Sequence, residues 1–594
     1  MLPSNASLAV QTAPAGLSPS KRWLKAIELT AKLDAQPNRL LADCVHEAAG
    51  TSPDAPALLS DAQSYTYAQL ATRIARWSRW ALAQGISKGD RVALAMGSRP
   101  DYVACWAGIT AIGGVVALIN TQLKGEGLRH AIAVSEANHV ITDAAHSRAM
   151  KDALPESDAP FLHVAEEAAF EAVFSALSGE PLDSSERRDV TLRDPALLIY
   201  TSGTTGLPKA AHVSHHRIMS WGHWFAGLTG AEPDDRLFNC LPVHHSVGGV
   251  VAIASMMVAG GSTVLAPKFS ASGFWRDVVR WECTLFQYIG ELCRYLVNAP
   301  ETIDEHRHTL RMACGNGLRG DVWQAFQQRF NVPQILEFYA ATEGNFSLFN
   351  VEGKPGAIGR IPPFLKHRFP AAIVKFDSDL GRPKRGDDGL CIRAERGEAG
   401  EAIGRISGES GGRFEGYTSA DESAKKVLRD VFEKGDAWYR TGDLMRIDEA
   451  GYYYFVDRIG DTFRWKGENV ATAEVATAIT AVPGVVDATV YGVTVPGTDG
   501  RAGMAAIHAG EAFDMDALAV HLADALPAYA RPVFIRLQGA LELTETFKQK
   551  RTDLVAQGFE PTASDDPVFV LDGGRYVALA SDLHAEIVSG KRRL

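Results

Sequence analysis

The sequence predicts an α/β protein. We expect a large N-terminal domain of two mostly parallel, helix-flanked sheets with a small β-barrel or antiparallel region, then a smaller α+β domain. Length is the first reason, because 594 residues are too many for one hydrophobic core. The second is the alternation of short apolar strands with helix-like stretches from Asp61 to Asp143 and again from Leu197 to Gln334, which indicates parallel sheets covered on both faces. The third is a change after Gly356 to short strands and glycine turns.

Three segments are predicted along the chain: a flexible lead with an amphipathic helix (1–37), the large domain (38–459) and a small C-terminal domain (460–594). In the lead, KRWLKAIELTAKL (21–33) places Trp23, Leu24, Ile27 and Ala31 near one helical face, surrounded by basic residues. Two interpretations of this helix stay open. It lies on an anionic membrane surface, or it packs on the large domain.

Apolar periodicity locates the individual elements. In the large domain the pattern predicts one helix and five buried strands: Tyr67 to Gln84, then Arg91 to Met96, Val115 to Ile119, His139 to Ile141, Leu285 to Ile289 and Gln334 to Phe338. The segments LCIRAE, GYYYFV and FRWKG indicate the short strands that follow. The C-terminal domain is predicted from two helices and two strands: Ala473 to Thr480, Met515 to Leu526, Ala488 to Val493 and Met504 to His508.

Two uncharged stretches, 102–120 and 246–267, are nearly long enough to span a bilayer. Each contains a Gly-Gly pair at the same relative place, Gly113-Gly114 and Gly260-Gly261. Glycine ends helices readily, so we expect a buried helix, a break and a short strand in each stretch rather than a membrane span.

Composition narrows the functional classes. The net charge of −11 argues against non-specific nucleic-acid binding, which requires a basic face. The seven cysteines form no CxxC pair and no metal-like spacing with histidine. Reduced thiols and a cytoplasmic location, with the lead helix as a peripheral membrane contact in one interpretation, are therefore expected.

The run IYTSGTTGLPK (199–209) follows an apolar strand and combines glycines, hydroxyl groups and a lysine. Glycine lets backbone N–H groups approach an anion, and hydroxyl groups and an ammonium add donors and charge. A polyphosphate site is predicted from these residues: Thr201, Ser202, Gly203, Thr204, Thr205, Gly206 and Lys209. It is not the common nucleotide P-loop, because Pro208 and Ala210 flank the lysine.

This run resembles the phosphate loop of the adenylate-forming superfamily, which includes acyl-CoA synthetases, luciferases and peptide-synthetase adenylation domains. Further resemblances follow in the family's order: GNGL (315–318) for adenine, YAATE (339–343) for the α-phosphate and Mg²⁺, YRTGD (439–443) for ribose, and Asp457-Arg458 before a hinge. The stretches FYAATEGNFSLFN, GKPGAIGR, GDTFRWKGENV and TFKQKRTDLVAQGFEP are similar to the fatty acid transport protein, or very-long-chain acyl-CoA synthetase, branch.

The resemblance implies that a fatty carboxylate attacks the α-phosphate of ATP and that CoA then displaces AMP, with ATP, Mg²⁺ and CoA as partners. Catalytic roles are implied for Thr342, Glu343 and Lys548, with Glu343 the Mg²⁺ ligand. Lys550 is the alternative to Lys548, because Phe547 stands where the family has glycine. The other implied nucleotide and CoA contacts are Gly315, Asn316, Gly317, Tyr339, Ala340, Asp443, Arg458, Arg464 and Gly467.

Two further expectations concern the hinge and the acyl chain. Gly460 occupies the hinge position about which the family's mobile C-terminal domain rotates, and Asp461 follows it. His245, in LPVHH, is similar to the family's histidine near the acyl group, although a structural histidine pair is the alternative. Trp221, Phe225, Met257 and Phe286 either line an acyl tunnel or belong to the core.

Three rival functions are weighed. A peptide-synthetase module would need a carrier domain, for which the stretch after Lys548 is too short. A luciferase-like oxygenase shares the first half-reaction. A fatty-acid transport or binding protein without catalysis would have no use for the predicted nucleotide site. A CoA ligase for a long-chain fatty acid, or for another bulky hydrophobic acid, is therefore the expectation.

Overall fold

The computed structural model describes residues 17–154, 160–201, 207–377, 380–407, 413–466, 468–496, 498, 500–541, 551–592 and 594. The chain forms two compact units. The first runs up to Phe338 and also takes in Phe349–Pro355 and Glu415–Ser423; the second comprises Tyr339–Leu348, Gly356–Phe414 and Ala424–Leu594.

The α-helices of the described residues are α1 (Pro19–Ala31), α2 (Leu41–Thr51), α3 (Tyr67–Ala83), α4 (Pro100–Ala111), α5 (Gly125–Ser135), α6 (Ser147–Ala153), α7 (Ala168–Ala176), α8 (Ser184–Arg187), α9 (His215–Thr229), α10 (Ala252–Ala259), α11 (Phe274–Arg280), α12 (Gly290–Asn298), α13 (Gly320–Phe330), α14 (Ala420–Lys425), α15 (Thr472–Thr480), α16 (Met515–Ala525), α17 (Thr552–Gln557) and α18 (Ser581–Val588). A π-helix spans Ser246–Val251, and 3₁₀ turns span Ile303–His306 and Pro363–Leu365.

The strands are β1 (Pro56–Leu59), β2 (Ser64–Thr66), β3 (Arg91–Ala95), β4 (Val115–Leu118), β5 (His139–Thr142), β6 (Phe161–Val164), β7 (Pro195–Thr201), β8 (Lys209–Ser214), β9 (Arg236–Asn239), β10 (Ser262–Leu265), β11 (Leu285–Ile289), β12 (Met312–Asn316), β13 (Ile335–Ala340), β14 (Ser347–Asn350), β15 (Gly359–Arg360), β16 (Ala371–Asp377), β17 (Arg382–Pro383), β18 (Gly400–Arg405), β19 (Val427–Arg429), β20 (Ala437–Ile447), β21 (Tyr452–Arg458), β22 (Phe463–Trp465), β23 (Glu468–Val470), β24 (Val485–Val493), β25 (Ala502–Ala509), β26 (Phe534–Gln538), β27 (Val568–Asp572) and β28 (Arg575–Ala578).

Two helix-flanked sheets build the first unit, as predicted. One has the order β6-β5-β3-β4-β7-β8 and is parallel except for the β7–β8 hairpin. The other contains β12-β11-β9-β10-β1 in parallel, with β2 antiparallel at the edge and the start of β13 parallel to β12. Ligands of such sheets bind where the strands end at their carboxyl termini. The predicted phosphate and adenine residues follow β7 and β12.

Both uncharged stretches fold as buried helix-to-strand units, which confirms the prediction. Gly113 (φ +88°) separates α4 from β4, and Gly260 (φ +77°) separates α10 from β10. Glycine adopts these positive φ angles without the steric penalty of a Cβ. In the described part of the chain, no helix combines the length and apolar character that a membrane span requires.

Helix α1 packs on α9 within the first unit, the second of the two interpretations of this segment. Its buried residues are Arg22, Trp23, Ala26 and Thr30, so Trp23 alone of the predicted apolar set is buried, and Leu24 is 53% exposed. The Trp23 ring lies 5.9 Å from that of Trp224. A Cβ on Gly227 would stand 2.3 Å from the Ala26 Cα, so only glycine allows this close approach of the two helices.

The second unit is mainly antiparallel in its first part. Strands β17-β16-β18-β20-β21-β15 pair antiparallel, with β19 also on β20. GYYYFV contributes β21 as predicted, whereas LCIRAE makes only isolated bridges at Cys391 and Arg393. The C-terminal part is the predicted α+β fold, with sheet order β24-β25-β26-β27-β28. Helices α15 and α16 cover it through buried residues such as Ile479 and Leu518.

Candidate active site

The β7–β8 hairpin positions both ends of the predicted phosphate loop. Thr201 and Lys209 are register partners, and the Thr201 hydroxyl lies 3.5 Å from the Lys209 carbonyl oxygen. Tyr200 fixes β7 from behind, because its hydroxyl donates to the Ala131 carbonyl at 2.6 Å. Residues 202–206 (Ser202, Gly203, Thr204, Thr205 and Gly206) lie outside the described residues, so their predicted role stays a prediction.

The Lys209 ammonium contacts the carboxylate of Glu422. Each side chain is 20% exposed. Glu422 is the third residue of α14 and lies more than 200 positions from Lys209 in sequence. Sequence reasoning missed Glu422, because no local pattern links it to the phosphate loop.

The predicted adenine residues lie where β12 ends. Gly315 has no room for a side chain, since a Cβ would stand 2.2 Å from the Tyr288 carbonyl oxygen. Gly317 has φ +80°, which glycine tolerates. A Cβ on Gly290 would in turn stand 1.9 Å from the Gly317 carbonyl oxygen. Close backbone contacts and the positive φ therefore restrict the conformation of this loop and require glycine at these positions.

Glu337 contacts the predicted adenine loop and was not itself predicted as a site residue. Its carboxyl accepts hydrogen bonds from the Tyr288 hydroxyl at 2.6 Å and from the Leu318 N–H at 3.1 Å. Burial raises the pKa of Glu337 to about 8, against the effect of these donors, which lower it. The signal that points to Glu337 is its place on β13, an acidic residue in a buried apolar strand.

The predicted ribose residues come together in the second unit. Asp443 on β20 and Arg458 on β21 are register partners, with 3.7 Å between Arg458 Nε and Asp443 Oδ1. The Tyr339 hydroxyl donates to the other carboxylate oxygen of Asp443. Burial and the Asp443 charge raise the pKa of Tyr339 well above its usual range. Two vicinal ribose hydroxyls would find acceptor oxygens and a cation here.

Glu343, the predicted Mg²⁺ ligand, is 5% exposed. The Tyr439 hydroxyl donates to Glu343 Oε1 at 3.0 Å, and the Lys426 ammonium lies 3.8 Å from the same oxygen. Gly344 makes this contact possible, because a Cβ there would stand 2.4 Å from the Tyr439 ring. Lys426 was not predicted; its ammonium lies 5.7 Å from the centroid of the Tyr439 ring.

This arrangement fits Mg²⁺ as a shared ion. Mg²⁺ prefers one or two carboxylates together with substrate phosphates and waters over a cage made only of protein ligands. Glu343 supplies one buried carboxylate. Among the described residues no group of three histidine, cysteine or acidic side chains forms such a cage.

The His244-His245 pair precedes the π-helix Ser246–Val251. The two rings lie 4.3 Å apart, and His244 is buried. π-Helical turns occur often at functional sites. A Cβ on Gly249 would stand 1.8 Å from the Val243 carbonyl oxygen, so the helix can fold back against the histidine segment only with glycine at this position.

The residues proposed for an acyl tunnel are mostly core. Phe225 packs 4.7 Å from Phe338, and Phe286 packs 4.6 Å from Phe274, each at no more than 3% exposure. Met257 is 3% exposed in the main hydrophobic cluster. Trp221 is only partly buried, which leaves it as the one member of the set with an accessible surface.

The residues predicted for the hinge and for CoA lie at the start of the C-terminal part. Gly460 has φ +99° and no atom within 4 Å of a hypothetical Cβ. Arg464 on β22 is exposed, whereas Gly467 lies outside the described residues. Lys548 and Lys550 also fall outside them. The residue that follows, Arg551, lies 2.8 Å from the Asp461 carboxylate beside the hinge.

Comparison with known proteins identifies the family of the chain. The AMP-binding enzyme family matches residues 45–379, and the AMP-binding enzyme C-terminal domain matches residues 474–548. The chain is 40% identical to mouse long-chain fatty acid transport protein 1, covering 92% of this chain and 87% of the relative. It is 37% identical to human long-chain fatty acid transport protein 5, covering 99% of this chain and 90% of the relative.

Solved structures share the fold. ATP-bound MatB from Rhodopseudomonas palustris superposes with a TM-score of 0.73 at 23% identity, covering 87% of this chain and 98% of its own. The anthranilate CoA ligase AuaEII in complex with anthranoyl-AMP superposes with a TM-score of 0.75 at 21% identity, covering 88% of this chain and 98% of its own. A Mycobacterium tuberculosis fatty acyl CoA synthetase gives 0.61 at 23% identity, with 87% and 98%. The chain belongs to the AMP-binding enzyme family, among relatives of the long-chain fatty acid transport proteins.

Proposed function

We propose that the protein is an AMP-forming long-chain fatty acyl-CoA ligase, which converts a fatty acid, ATP and CoA into acyl-CoA, AMP and pyrophosphate. One observation carries the proposal: Tyr339, Asp443 and Arg458 meet and together offer acceptor oxygens and a cation that suit the ribose of an adenylate. The long-chain substrate is supported by the names of relatives up to 40% identical.

In the first half-reaction, a carboxylate oxygen of the fatty acid attacks the α-phosphorus of ATP. The bond from that phosphorus to the bridging oxygen breaks, and its electron pair leaves with pyrophosphate. Lys209 and the 201–206 loop bind the departing phosphates, and Thr342 binds the α-phosphate. Lys548 places the carboxylate, with Lys550 as the alternative. Positioning and charge neutralisation supply the rate enhancement.

In the second half-reaction, the CoA thiolate attacks the acyl carbon and AMP leaves with the electron pair of the carbon–oxygen bond. Asp443 and Arg458 hold the ribose throughout. Arg464 and Gly467 line the path of the pantetheine arm, and His245 lies beside the acyl group. Glu343 would hold Mg²⁺, which would supply positive charge to offset that of the triphosphate.

We also propose that residues 460–594 rotate about Gly460 between the half-reactions. Its φ of +99° and the open space around it allow large backbone changes at this position. The family's C-terminal domain match at 474–548 lies within the proposed segment.

The test measures pyrophosphate release and acyl-CoA formation by mass, with fatty acids from short to very long chains. We expect both products only when ATP, Mg²⁺ and a long-chain acid are present, with CoA needed for the thioester alone. Glu343→Gln should slow adenylation on the order of 10²- to 10³-fold. The exposed Glu433→Gln is the matched control in the same unit and should retain activity. Adenylation unaffected by Glu343→Gln contradicts the assigned role.

A second candidate is a fatty-acid uptake protein whose ligase activity is secondary, favoured by the transport names of the relatives. Oleate-stimulated pyrophosphate release by the purified protein tests whether ligase activity is present at all, and unchanged oleate uptake by cells that express Glu343→Gln would assign transport as the primary role. A transport protein without catalysis releases none, whereas the ligase does so in the absence of any membrane.

A further inference from the structure

A strap formed by Glu415–Ser423 covers the outer edge of β8. The Thr418 N–H donates to the Ala210 carbonyl at 2.9 Å, and the His212 N–H donates to the Gly416 carbonyl at 3.0 Å. Ala211 and Tyr417 form an antiparallel bridge between them. The strap thus behaves as a short extra strand beside the segment that begins at Lys209.

Side-chain hydrogen bonds attach one end of the strap to β8 and brace its other end internally. The Glu415 carboxylate accepts from the Ser214 N–H at 2.8 Å and from the Ser214 hydroxyl at 2.6 Å. At the other end the Ser423 hydroxyl donates to the Ser419 carbonyl at 2.9 Å and accepts from the Tyr417 N–H, also at 2.9 Å. Glu422 therefore belongs to a segment that is attached to β8 through Glu415 and braced internally by the neighbouring Ser423.

The anchored carboxylate faces the one lysine of the predicted phosphate site. In the structure the Glu422 carboxylate is the anionic partner of Lys209. In the proposed reaction a phosphate oxygen takes this role. A carboxylate and a polyphosphate repel each other. The Lys209 ammonium is therefore expected to pair with only one of these two anions at a time.

We propose that Glu422 is a positioning residue. It pairs with the Lys209 ammonium before ATP binds and gives it up to the polyphosphate when ATP binds. When triphosphate binds, the Lys209 ammonium passes from the carboxylate to phosphate oxygen. When pyrophosphate leaves, Glu422 takes the ammonium back and so lowers the affinity for this product. This inference rests on the proposed function, specifically on Lys209 binding the phosphates.

The experiment compares Glu422→Gln with Asp421→Asn, which changes the net charge equally on a neighbouring exposed side chain. Binding of ATP and of inorganic pyrophosphate is measured by calorimetry, and pyrophosphate inhibition is measured in turnover. We expect Glu422→Gln to bind both on the order of five- to tenfold more tightly, and Asp421→Asn to match the unmodified protein. Glu422→Asp, which keeps the charge on a shorter arm, should lie between them.

Tighter binding separates this role from structural damage, which weakens affinity. In the Lys209→Met background, Glu422→Gln should no longer tighten binding, since the exchanged ammonium is gone. Unchanged or weaker pyrophosphate binding by Glu422→Gln overturns the inference while the ligase proposal stands. If the unmodified protein binds no ATP, the proposed function itself falls, and this inference with it.

Discussion

Glu337 makes the stability of the first unit depend on pH in a direction opposite to that of most carboxyl groups. Its pKa of about 8 in the folded protein lies above the value near 4.3 of an unfolded chain. The folded state therefore holds a proton that the unfolded state releases. The resulting stabilisation is complete below the unfolded pKa and is lost as pH rises through the folded pKa.

The magnitude follows from the difference in bound protons. Between about pH 5.5 and 8 the free energy of unfolding of the unmodified protein should fall, relative to Glu337→Gln, by roughly 1.4 kcal/mol per pH unit. The glutamine side chain keeps the shape and does not ionise. Above the folded pKa of about 8 the two curves should run parallel.

Urea titrations of the transition of the first unit measure this difference at half-unit pH steps. Glu301→Gln, at an exposed position in the same unit, controls for the loss of a carboxyl and should follow the unmodified protein. Tyr288→Phe removes a donor that lowers the pKa of Glu337, so its pH-dependent region should extend to higher pH. Parallel curves for the unmodified protein and Glu337→Gln from pH 5.5 to 8 would refute the reasoning.

Three further outcomes are expected. Lys548→Ala should slow adenylation about 10²- to 10³-fold and spare thioester formation from supplied acyl-AMP, and unchanged adenylation would move the role to Lys550. Gly344→Ala places a methyl group against an aromatic ring and should cost about 1–3 kcal/mol of stability together with Mg²⁺-dependent activity, whereas Gly50→Ala, in open space, should cost neither; equal thermal midpoints would contradict this. Gly227→Ala should displace α1 and speed its cleavage by trypsin, while vesicle flotation of the unmodified protein should be the same with and without residues 1–35 because α1 is packed in place.

Local backbone chemistry explains why the elements around the glycine pairs could be predicted. Gly113 and Gly260 each end an apolar helix at a positive φ, and this preference depends on the glycine alone. The face of α1 could not be predicted in the same way. Periodicity selected Leu24 and Ile27, but the close approach of Ala26 to α9 sets the rotation of the helix.

The motif residues of the candidate site could be proposed from sequence because each lies in a short contiguous run. Their partners could not. Glu337 reaches the adenine loop because β13 pairs with β12, and Glu422 reaches Lys209 through the strap. Lys426 meets Glu343 across a separation of more than 80 positions. Such contacts depend on strand pairing between distant segments, which no local pattern encodes.

The strap also has a consequence for the growing chain during synthesis. Until Glu415–Ser423 leaves the ribosome, β8 has bare backbone N–H and C=O groups along its outer edge. Uncovered edges of this kind recruit other strands. A fragment that ends at residue 379, where the family match stops, should therefore self-associate. A synthetic peptide with the strap sequence should reduce this self-association.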